Sequence, residues 1–130
     1  MPVTEPFHPF ANLIGMEVGE VADGRAQMSI QIDERLHNPQ GCVHGGVLFS
    51  LIDTAMAAAI KSLTGGRPCV SIELHVRFLR AVNGGEVTAQ AKVVRTGHHI
   101  VQMEAGVTDD TGDVVATASG SFALFEERPA

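Results

Sequence analysis

Hydrophobic and polar residues alternate along much of this 130-residue chain. Between Ala26 and Ile32 every second residue is apolar, and the residues between them are polar. A period of two is typical of a β-strand that is buried on one face. The alternation returns four more times, with apolar positions at Ile72/Leu74/Val76/Phe78, Val87/Ala89/Ala91/Val93, Val101/Met103/Ala105/Val107 and Val114/Ala116/Ala118 continuing to Phe122/Leu124. The pattern therefore predicts a sheet of five strands with one buried face.

Short glycine-containing segments separate the later strands. They are Asn83-Gly84-Gly85, Thr96-Gly97-His98 and the stretch from Asp109 to Gly112. Short turns of this kind join antiparallel neighbours. We therefore expect successive strands to pair antiparallel.

A long apolar segment from Val47 to Ser62 interrupts the strands. It carries only two charged residues, Asp53 and Lys61. Apolar residues fall on nearly every face of the helix that this segment predicts, so the helix has to be enclosed. A strongly twisted five-stranded sheet can wrap around one helix of this length.

A short helix is predicted near the N-terminus, from Pro6 to Leu13. Its apolar residues follow a helical spacing and are Phe7, Phe10, Leu13 and Ile14. The resulting order is a short helix, a strand, a long helix and four strands in a row. This is an α+β pattern rather than an alternating β-α-β pattern.

Size and composition fit one domain. Domains cluster around roughly 100 to 150 residues, so residues 1–130, with a mass of 13.7 kDa, are predicted to form a single domain. The chain is 45% hydrophobic and 18% charged, with a mean hydropathy of +0.14. This apolar balance indicates surface that is buried between subunits, so we expect a homo-oligomer.

Charge and the remaining composition exclude several classes of protein. A formal net charge of −6 argues against a nucleic-acid binder, which needs cations to neutralise phosphates. No apolar run reaches the roughly 18 residues of a membrane span, and the N-terminus lacks the pattern of a signal peptide. We therefore expect a cytoplasmic protein without a membrane partner. Cys42 and Cys69 lack the spacing of a zinc site or a disulfide scaffold, so buried free thiols are expected.

The segment before the long helix contains the first candidate for chemistry, the pair Gly45-Gly46. Glycines at a helix start allow another backbone or a ligand to approach, and the N–H groups of a first turn have no partners within the helix. Those donors, at the positive end of the helix dipole, could stabilise an oxyanion. The alternative is that the glycines only allow the helix to start against a neighbouring strand.

Asp53 is the second candidate, because aspartate is unfavourable in the middle of an apolar helix. A carboxylate there needs a partner or a cleft, and its surroundings should shift its pKa. Such a group suits a general base or a nucleophile. The alternative is a buried aspartate that bonds a loop or closes a dimer interface. His44 could orient a substrate or water, or could be a packed loop histidine.

Other chemistry is weakly indicated. Arg77, Arg80, Lys92 and Arg95 form a local basic stretch that could bind a phosphate or could be a solvated face. The histidines have no metal-ligand spacing, so no metal is expected. The chain also lacks the motifs of serine hydrolases, P-loop NTPases and dinucleotide-binding folds.

The pattern Asn38-x-x-Gly41-x-x-His44-Gly45-Gly46-(x)6-Asp53, followed by VSIELHVRFLRAV, resembles the hotdog-fold acyl-CoA thioesterases of the PaaI type, the thioesterases related to phenylacetic acid degradation. The similarity spans roughly residues 10 to 125. It implies the α+β hotdog fold, a five-stranded antiparallel sheet around a central helix. It also implies hydrolysis of an acyl-CoA to a carboxylic acid and CoA, with no cofactor other than this substrate.

The resemblance implies a role for each site residue. Gly45 would offer its N–H to the thioester carbonyl beside His44, Asn38 would position water or the carbonyl, and Asp53 would be the base or nucleophile. Ser71 would hold the attacking water. The CoA part of the substrate would contact Gly46, Arg80, Val82, Asn83, Thr96, Gly97 and His98, with Arg80 as the phosphate ligand.

The resemblance also implies an assembly, with the acyl site built across a two-fold interface and a tetramer made of two such dimers. Aromatic, medium-chain and long-chain acyl groups all fit the family. Two other functions stay open from the sequence. One is an enoyl-CoA hydratase or dehydratase, in which His44 would transfer a proton at the acyl chain. The other is a protein that binds or senses acyl-CoA without turnover.

Overall fold

A computed structural model describes residues 8–126 of the chain. In chain order its elements are α1 (Pro9–Leu13), β1 (Met16–Ala22), β2 (Arg25–Ile32), a 3-10 turn (Glu34–Leu36), α2 (Gly45–Thr64), β3 (Cys69–Phe78), β4 (Gly85–Thr96), β5 (Ile100–Thr108) and β6 (Val114–Leu124). The strands form one sheet in the order β1-β2-β4-β5-β6-β3, and every neighbouring pair is antiparallel. The expected α+β architecture, a sheet around one long helix, is confirmed.

The helix α2 lies in the concave face of this sheet and contacts strands β1 to β5. Its buried residues are Leu48, Leu51, Ile52, Ala55, Met56, Ala59 and Ile60. They pack against the inward-facing residues of β2, β4 and β5, where the predicted alternation between buried and exposed positions is confirmed. By length and mean hydropathy alone α2 could cross a membrane. In this structure it is the core helix of the domain.

A sixth strand, β1, is present that the alternation did not predict. It pairs with β2 at one edge of the sheet, but the register shifts between Val18 and Val21. Of its seven residues only Met16 is buried. Because the irregularity breaks the period of two, the strand has no continuous apolar face that the sequence could reveal.

The expectation that all successive strands pair is wrong for β3 and β4. β4 lies between β2 and β5, whereas β3 pairs with β6 at the far edge of the sheet. The segment before β4, which contains Asn83-Gly84-Gly85, is therefore a crossover between two parts of the sheet and not a hairpin. The turn residues could not indicate the crossover, because they are local, whereas the order of the strands depends on how the whole sheet packs around α2.

The predicted buried face of β3 is only partly buried in the single chain. Ile72 and Phe78 are 56% and 53% exposed, whereas Leu74 and Val76 pack against the core. β3 has a neighbour on one side only, and its pairing with β6 shifts register just after Ser71. An edge strand with exposed apolar residues is a surface to which another strand can add.

In β6 the predicted alternation fails at its first position. Val114 is exposed, and the adjacent Val115 is fully buried instead. The pairing of β5 with β6 shifts register at this point, between Val107 and Thr108. An extra residue in one strand moves the following side chains to the other face.

The first helix is shorter than predicted, and the predicted positions Pro6 and Phe7 lie outside the described residues. The expected apolar face is also wrong, because Phe10 and Leu13 are exposed while Ala11 is buried. The two cysteines are free thiols as expected, but both are only half-buried.

Candidate active site

The start of α2 leaves one backbone donor free. His44 is the N-cap residue, and its Nδ1 accepts a hydrogen bond from the Gly46 N–H at 2.8 Å. The His44 carbonyl accepts the Val47 N–H at 2.9 Å. Within residues 8–126 the N–H of Gly45 has no hydrogen-bond partner. A ligand at the positive end of the α2 dipole would therefore meet the Gly45 N–H.

The hydrogen bond at His44 fixes the tautomer of its neutral ring. An accepting Nδ1 carries no hydrogen, so the proton is on Nε2. His44 is exposed, and its Nε2–H is a second donor beside the helix start. The ring thus caps the helix with one nitrogen and keeps the other for a ligand.

Two rings of the same chain explain why both first residues of α2 are glycines. A Cβ on Gly45 would lie 3.2 Å from Cζ of Phe78, at the end of β3. A Cβ on Gly46 would lie 2.9 Å from Nδ1 of His44. The glycines therefore allow the helix to start against a neighbouring strand, which was the structural interpretation of the sequence. They also leave the Gly45 N–H free, which was the functional interpretation.

Asn38 organises the loop before α2. Its Oδ1 accepts the backbone N–H groups of Gln40 at 3.0 Å and Cys42 at 3.3 Å, and its Nδ2 lies 3.4 Å from the Cys42 sulfur. The side-chain oxygen and one amide N–H are thus engaged within the loop, which leaves the second amide N–H for any contact with a substrate. Gly41 completes the turn with a φ of 85°, in the left-handed region that favours glycine.

Asp53 lies in the middle of α2, with Ser71 of β3 beside its carboxyl group. Burial raises the pKa of the Asp53 carboxyl above its ordinary value, while the hydrogen bond from Ser71 and the charge of His8 act in the opposite direction. The Oδ1 atom of Asp53 is buried and has no hydrogen-bond partner in the described part of the chain. An unsatisfied buried acceptor costs free energy, so a ligand or another chain could complete this site.

The free donor and the carboxyl group are far apart in one chain. Gly45 and Asp53 are eight residues apart on α2, which at a rise of about 1.5 Å per residue corresponds to about 12 Å along the axis. A thioester carbon bound at Gly45 is therefore out of reach of the Asp53 carboxyl of the same chain.

The residues expected to contact CoA fall into two groups. Arg80 forms an ion pair with Asp113, and Asn83 accepts a hydrogen bond from His37 through its carbonyl. Val82 is only 5% exposed and lies in the core, and its carbonyl accepts the N–H of Val43, so its contact with CoA stays a prediction. This group lies beside the loop that precedes α2.

The second group, Thr96, Gly97 and His98, is exposed in the turn between β4 and β5. It lies at the other end of β4 from Gly85, about 36 Å away for a strand that rises about 3.3 Å per residue. One chain therefore does not bring the two groups together. The predicted basic stretch is also divided, because Lys92 pairs with Glu104 as Arg80 does with Asp113.

A groove of mixed polarity begins beside the start of α2, with a volume of about 970 Å³. Its apolar lining residues are Phe49, Leu74, Val76, Phe78, Ala105 and Ala118, and its polar ones include His75, Arg77 and Glu104. Sequence reasoning placed Phe78 on a buried strand face and did not place it beside Gly45. Among the described residues no group of three or more His, Cys, Asp and Glu side chains could hold a metal ion.

Known proteins resemble this chain in sequence and in fold. The model of the thioesterase superfamily matches residues 40–116, more than half of the chain. A Halobacterium salinarum protein named as a candidate esterase is 34% identical over 132 residues, covering 92% of this chain and 87% of its own. The 1,4-dihydroxy-2-naphthoyl-CoA hydrolase of Listeria monocytogenes is 28% identical over 116 residues, covering 88% of this chain and 94% of its own. The structure of the E. coli PaaI protein from the phenylacetic acid degradation operon has a TM-score of 0.85 and 27% identity, covering 91% of this chain and 85% of that one.

Proposed function

This chain belongs to the thioesterase superfamily, and we propose that it hydrolyses an acyl-CoA to a free carboxylic acid and CoA. The observation that carries the proposal is Asp53, a carboxyl group on the central helix with one buried oxygen unpartnered and a pKa raised by burial. A raised pKa makes the carboxylate a better base at neutral pH. The free Gly45 N–H at the start of the same helix supplies the oxyanion donor that acyl transfer needs.

In the proposed reaction the thioester carbonyl oxygen accepts the Gly45 N–H, with the Nε2–H of His44 as a second donor. The Asp53 carboxylate removes a proton from a water molecule, held by Ser71, as the water oxygen bonds to the carbonyl carbon. The tetrahedral oxyanion then collapses, the carbon–sulfur bond breaks, and the Asp53 carboxyl group returns its proton to the CoA sulfur as it leaves. In the alternative route the Asp53 carboxylate attacks directly and water hydrolyses the resulting anhydride. Asn38 holds the loop on which His44 stands.

The 12 Å between Gly45 and Asp53 supports an active site built from two chains. We propose a homodimer in which the Asp53 of one copy acts on a thioester bound at Gly45 of the other. The exposed edge of β3 is the surface available for this pairing. The same arrangement would let the turn at Thr96 to His98 of one copy contact a CoA held by Arg80 of the other. Two such dimers would form the expected tetramer.

For the acyl group we propose an aromatic acid, with medium and long fatty acyl groups as the other candidates. The Listeria relative supports this choice, because its name gives an aromatic acyl-CoA as the substrate. The apolar side chains of the groove nearest Gly45, Phe49 and Phe78, support an acyl group that is apolar next to its carbonyl.

The test is CoA release from short, long and aromatic acyl-CoAs, measured with a thiol reagent for the wild type and Asp53→Asn. A positioned base contributes about 10² to 10⁴ to the rate, so the folded variant should lose at least about a hundredfold in turnover. Full turnover in a folded Asp53→Asn protein would refute the role of Asp53. Binding without release by the wild type would favour acyl-CoA sensing, and loss of an enoyl chromophore would favour a hydratase.

Single-turnover hydrolysis in ¹⁸O-water distinguishes the two routes. Label that enters the Asp53 carboxylate requires an anhydride opened at the aspartyl carbon, whereas label found only in the released acid excludes that route and requires that water attack the acyl carbon. Mixed dimers provide the matched test of the two-chain site. Co-expression of Asp53→Asn with His44→Ala should restore part of the activity that each variant lacks alone, since one of the two sites would then contain both wild-type residues.

A further inference from the structure

We propose that Phe78 is a specificity-determining residue, whose ring is the wall against which the acyl carbon next to the thioester carbonyl must fit. Acyl-CoAs that are branched at that carbon should then be hydrolysed with a lower kcat/KM than unbranched ones. The inference rests on the proposed function, because it assumes a thioester carbonyl bound at the Gly45 N–H. It adds a residue and a selection rule that the mechanism above does not contain.

The contact between Phe78 and Gly45 is close and involves the outer edge of the ring. The Cβ position of Gly45 lies 3.2, 3.3 and 3.6 Å from Cζ, Cε1 and Cε2 of Phe78. These three atoms are the end of the ring that is farthest from the backbone. Phe78 is nevertheless 53% exposed, so most of the ring is free to contact a ligand at the same place.

A carbonyl oxygen that accepts the Gly45 N–H lies about 2.9 Å from the nitrogen. The carbonyl carbon and its two substituents are one and two bonds farther out, and we infer that they reach the Phe78 ring edge, which lies 3.2 Å from the Cβ position of the same glycine. One substituent is the CoA sulfur and the other is the first acyl carbon. The ring therefore limits the space available to at least one of them.

The groove identifies the acyl side of the bound thioester. On one side of Phe78 the surface continues as the apolar part of the groove, which also contains Leu74 and Val76. Phe49, which is 40% exposed, lies on the same helical face as Gly45 because it follows four residues later, and it lines the groove as well. On the other side the chain continues to Arg80, a cation suited to the phosphates of CoA. The acyl carbon thus faces Phe78 and Phe49, and the polar CoA arm runs away from them.

The test compares pairs of acyl-CoAs that differ only by branching at the carbon next to the carbonyl. Butanoyl-CoA with 2-methylpropanoyl-CoA is one pair, and phenylacetyl-CoA with 2-phenylpropanoyl-CoA is the other. The measured quantity is the ratio of kcat/KM for the unbranched and branched partners, read from CoA release. One methyl group in an apolar pocket changes such ratios by about 10- to 200-fold. We expect the wild type to have a higher kcat/KM for the unbranched partner. In Phe78→Ala the ratio of the two kcat/KM values should fall by at least about tenfold.

Two further variants make the result specific. Leu79→Ala is the matched control, because Leu79 is 55% exposed, follows Phe78 directly and does not line the groove. It should leave the ratio unchanged. Phe78→Trp moves the wall toward the substrate and should increase the discrimination, and it also tests the inference if Phe78→Ala does not fold.

The outcomes separate this inference from the proposed function. If the wild type releases no CoA from any substrate, the proposed function fails and the role of Phe78 fails with it. If the wild type is active but a folded Phe78→Ala keeps the wild-type ratio, only the role of Phe78 is overturned. The same holds if Phe78→Trp leaves the ratio unchanged.

A stability measurement checks the contact itself. Gly45→Ala should lower the melting temperature in the wild-type background, because its Cβ meets the Phe78 ring at 3.2 Å. In the Phe78→Ala background the same substitution should cost clearly less. Equal losses in both backgrounds would contradict the contact on which the inference depends.

Discussion

Substitutions of His44 separate the two roles that the structure gives to its ring. Nδ1 caps α2 by accepting the Gly46 N–H at 2.8 Å, and the proton on Nε2 is available to a substrate. His44→Ala removes both nitrogens. His44→Asn removes only the second, because the asparagine Oδ1 can take the place of Nδ1 while no atom replaces Nε2. Asparagine is also among the preferred N-cap residues.

The expected loss of stability follows from the single capping hydrogen bond. Removing an N-cap side chain costs about 1 kcal/mol, within a range of about 0.5 to 2. For a chain of 130 residues this corresponds to a melting temperature lowered by roughly 4 °C. His44→Ala should show this loss, and His44→Asn should regain most of it because the Gly46 N–H is again satisfied.

The expected loss of activity follows from the other nitrogen. Removing one donor to a developing oxyanion costs about 10²- to 10³-fold in kcat. Both variants lack Nε2–H, so both should lose activity to a similar extent although only one is destabilised. Thermal or urea unfolding measures the first effect, and CoA release measures the second. If His44→Asn regains activity together with stability, His44 acts only by holding the start of α2, and its role as a donor is refuted.

Three further predictions concern the carboxyl group, the CoA arm and the subunit contact. Because the folded pKa of Asp53 is raised above 3.8, its ionisation destabilises the fold as the pH rises through that raised value. Asp53→Asn should therefore melt at a higher temperature than the wild type at pH 7, with a gap that narrows toward pH 4. If Asp53→Asn is no more stable than the wild type at any pH, burial does not raise the pKa of Asp53. Arg80→Ala should raise KM for acyl-CoA with little change in kcat. Asp113→Asn frees Arg80 from its ion pair and should lower KM. If KM is unchanged in both variants, Arg80 does not bind the phosphates of CoA. Ile72→Asp places a charge on the exposed edge strand and should shift the sedimentation of the protein toward the monomer, whereas an unchanged size would place the subunit contact elsewhere.

The sequence predicted the strands whose inner residues are covered by α2 within the same chain. β2 keeps the period of two from end to end, β5 keeps it over most of its length, and β4 keeps it as far as the register shift between Val93 and Arg95. β1 and β3 are the two edges of the sheet, and both have irregular pairing. At an edge the burial of a residue depends on what lies beyond the chain. Alternation alone therefore predicted too much burial in β3 and no strand at β1.

For the candidate site, local rules explain part of the geometry. Glycines before an apolar helix indicated a free N–H, and the aspartate inside the helix indicated a carboxyl group with a shifted pKa. The pairing of Asp53 with Ser71 is a tertiary contact and was expected only from the family resemblance. The packing of Phe78 on Gly45 had no local signal, because it depends on β3 ending beside the start of α2.

A second copy of the chain would supply three things that the single chain lacks. The edge of β3 has unpaired backbone groups beside exposed apolar side chains such as Ile72. The Oδ1 of Asp53 is buried without a partner, and the Gly45 N–H has none within residues 8–126. Each of these costs stability in an isolated chain. Pairing at β3 would cover the edge and bring a second surface to the side of the sheet where Ser71 meets Asp53. The pKa of Asp53 would then be set in the assembled protein, where burial is greater, and a base suited to hydrolysis would form only when the subunits associate.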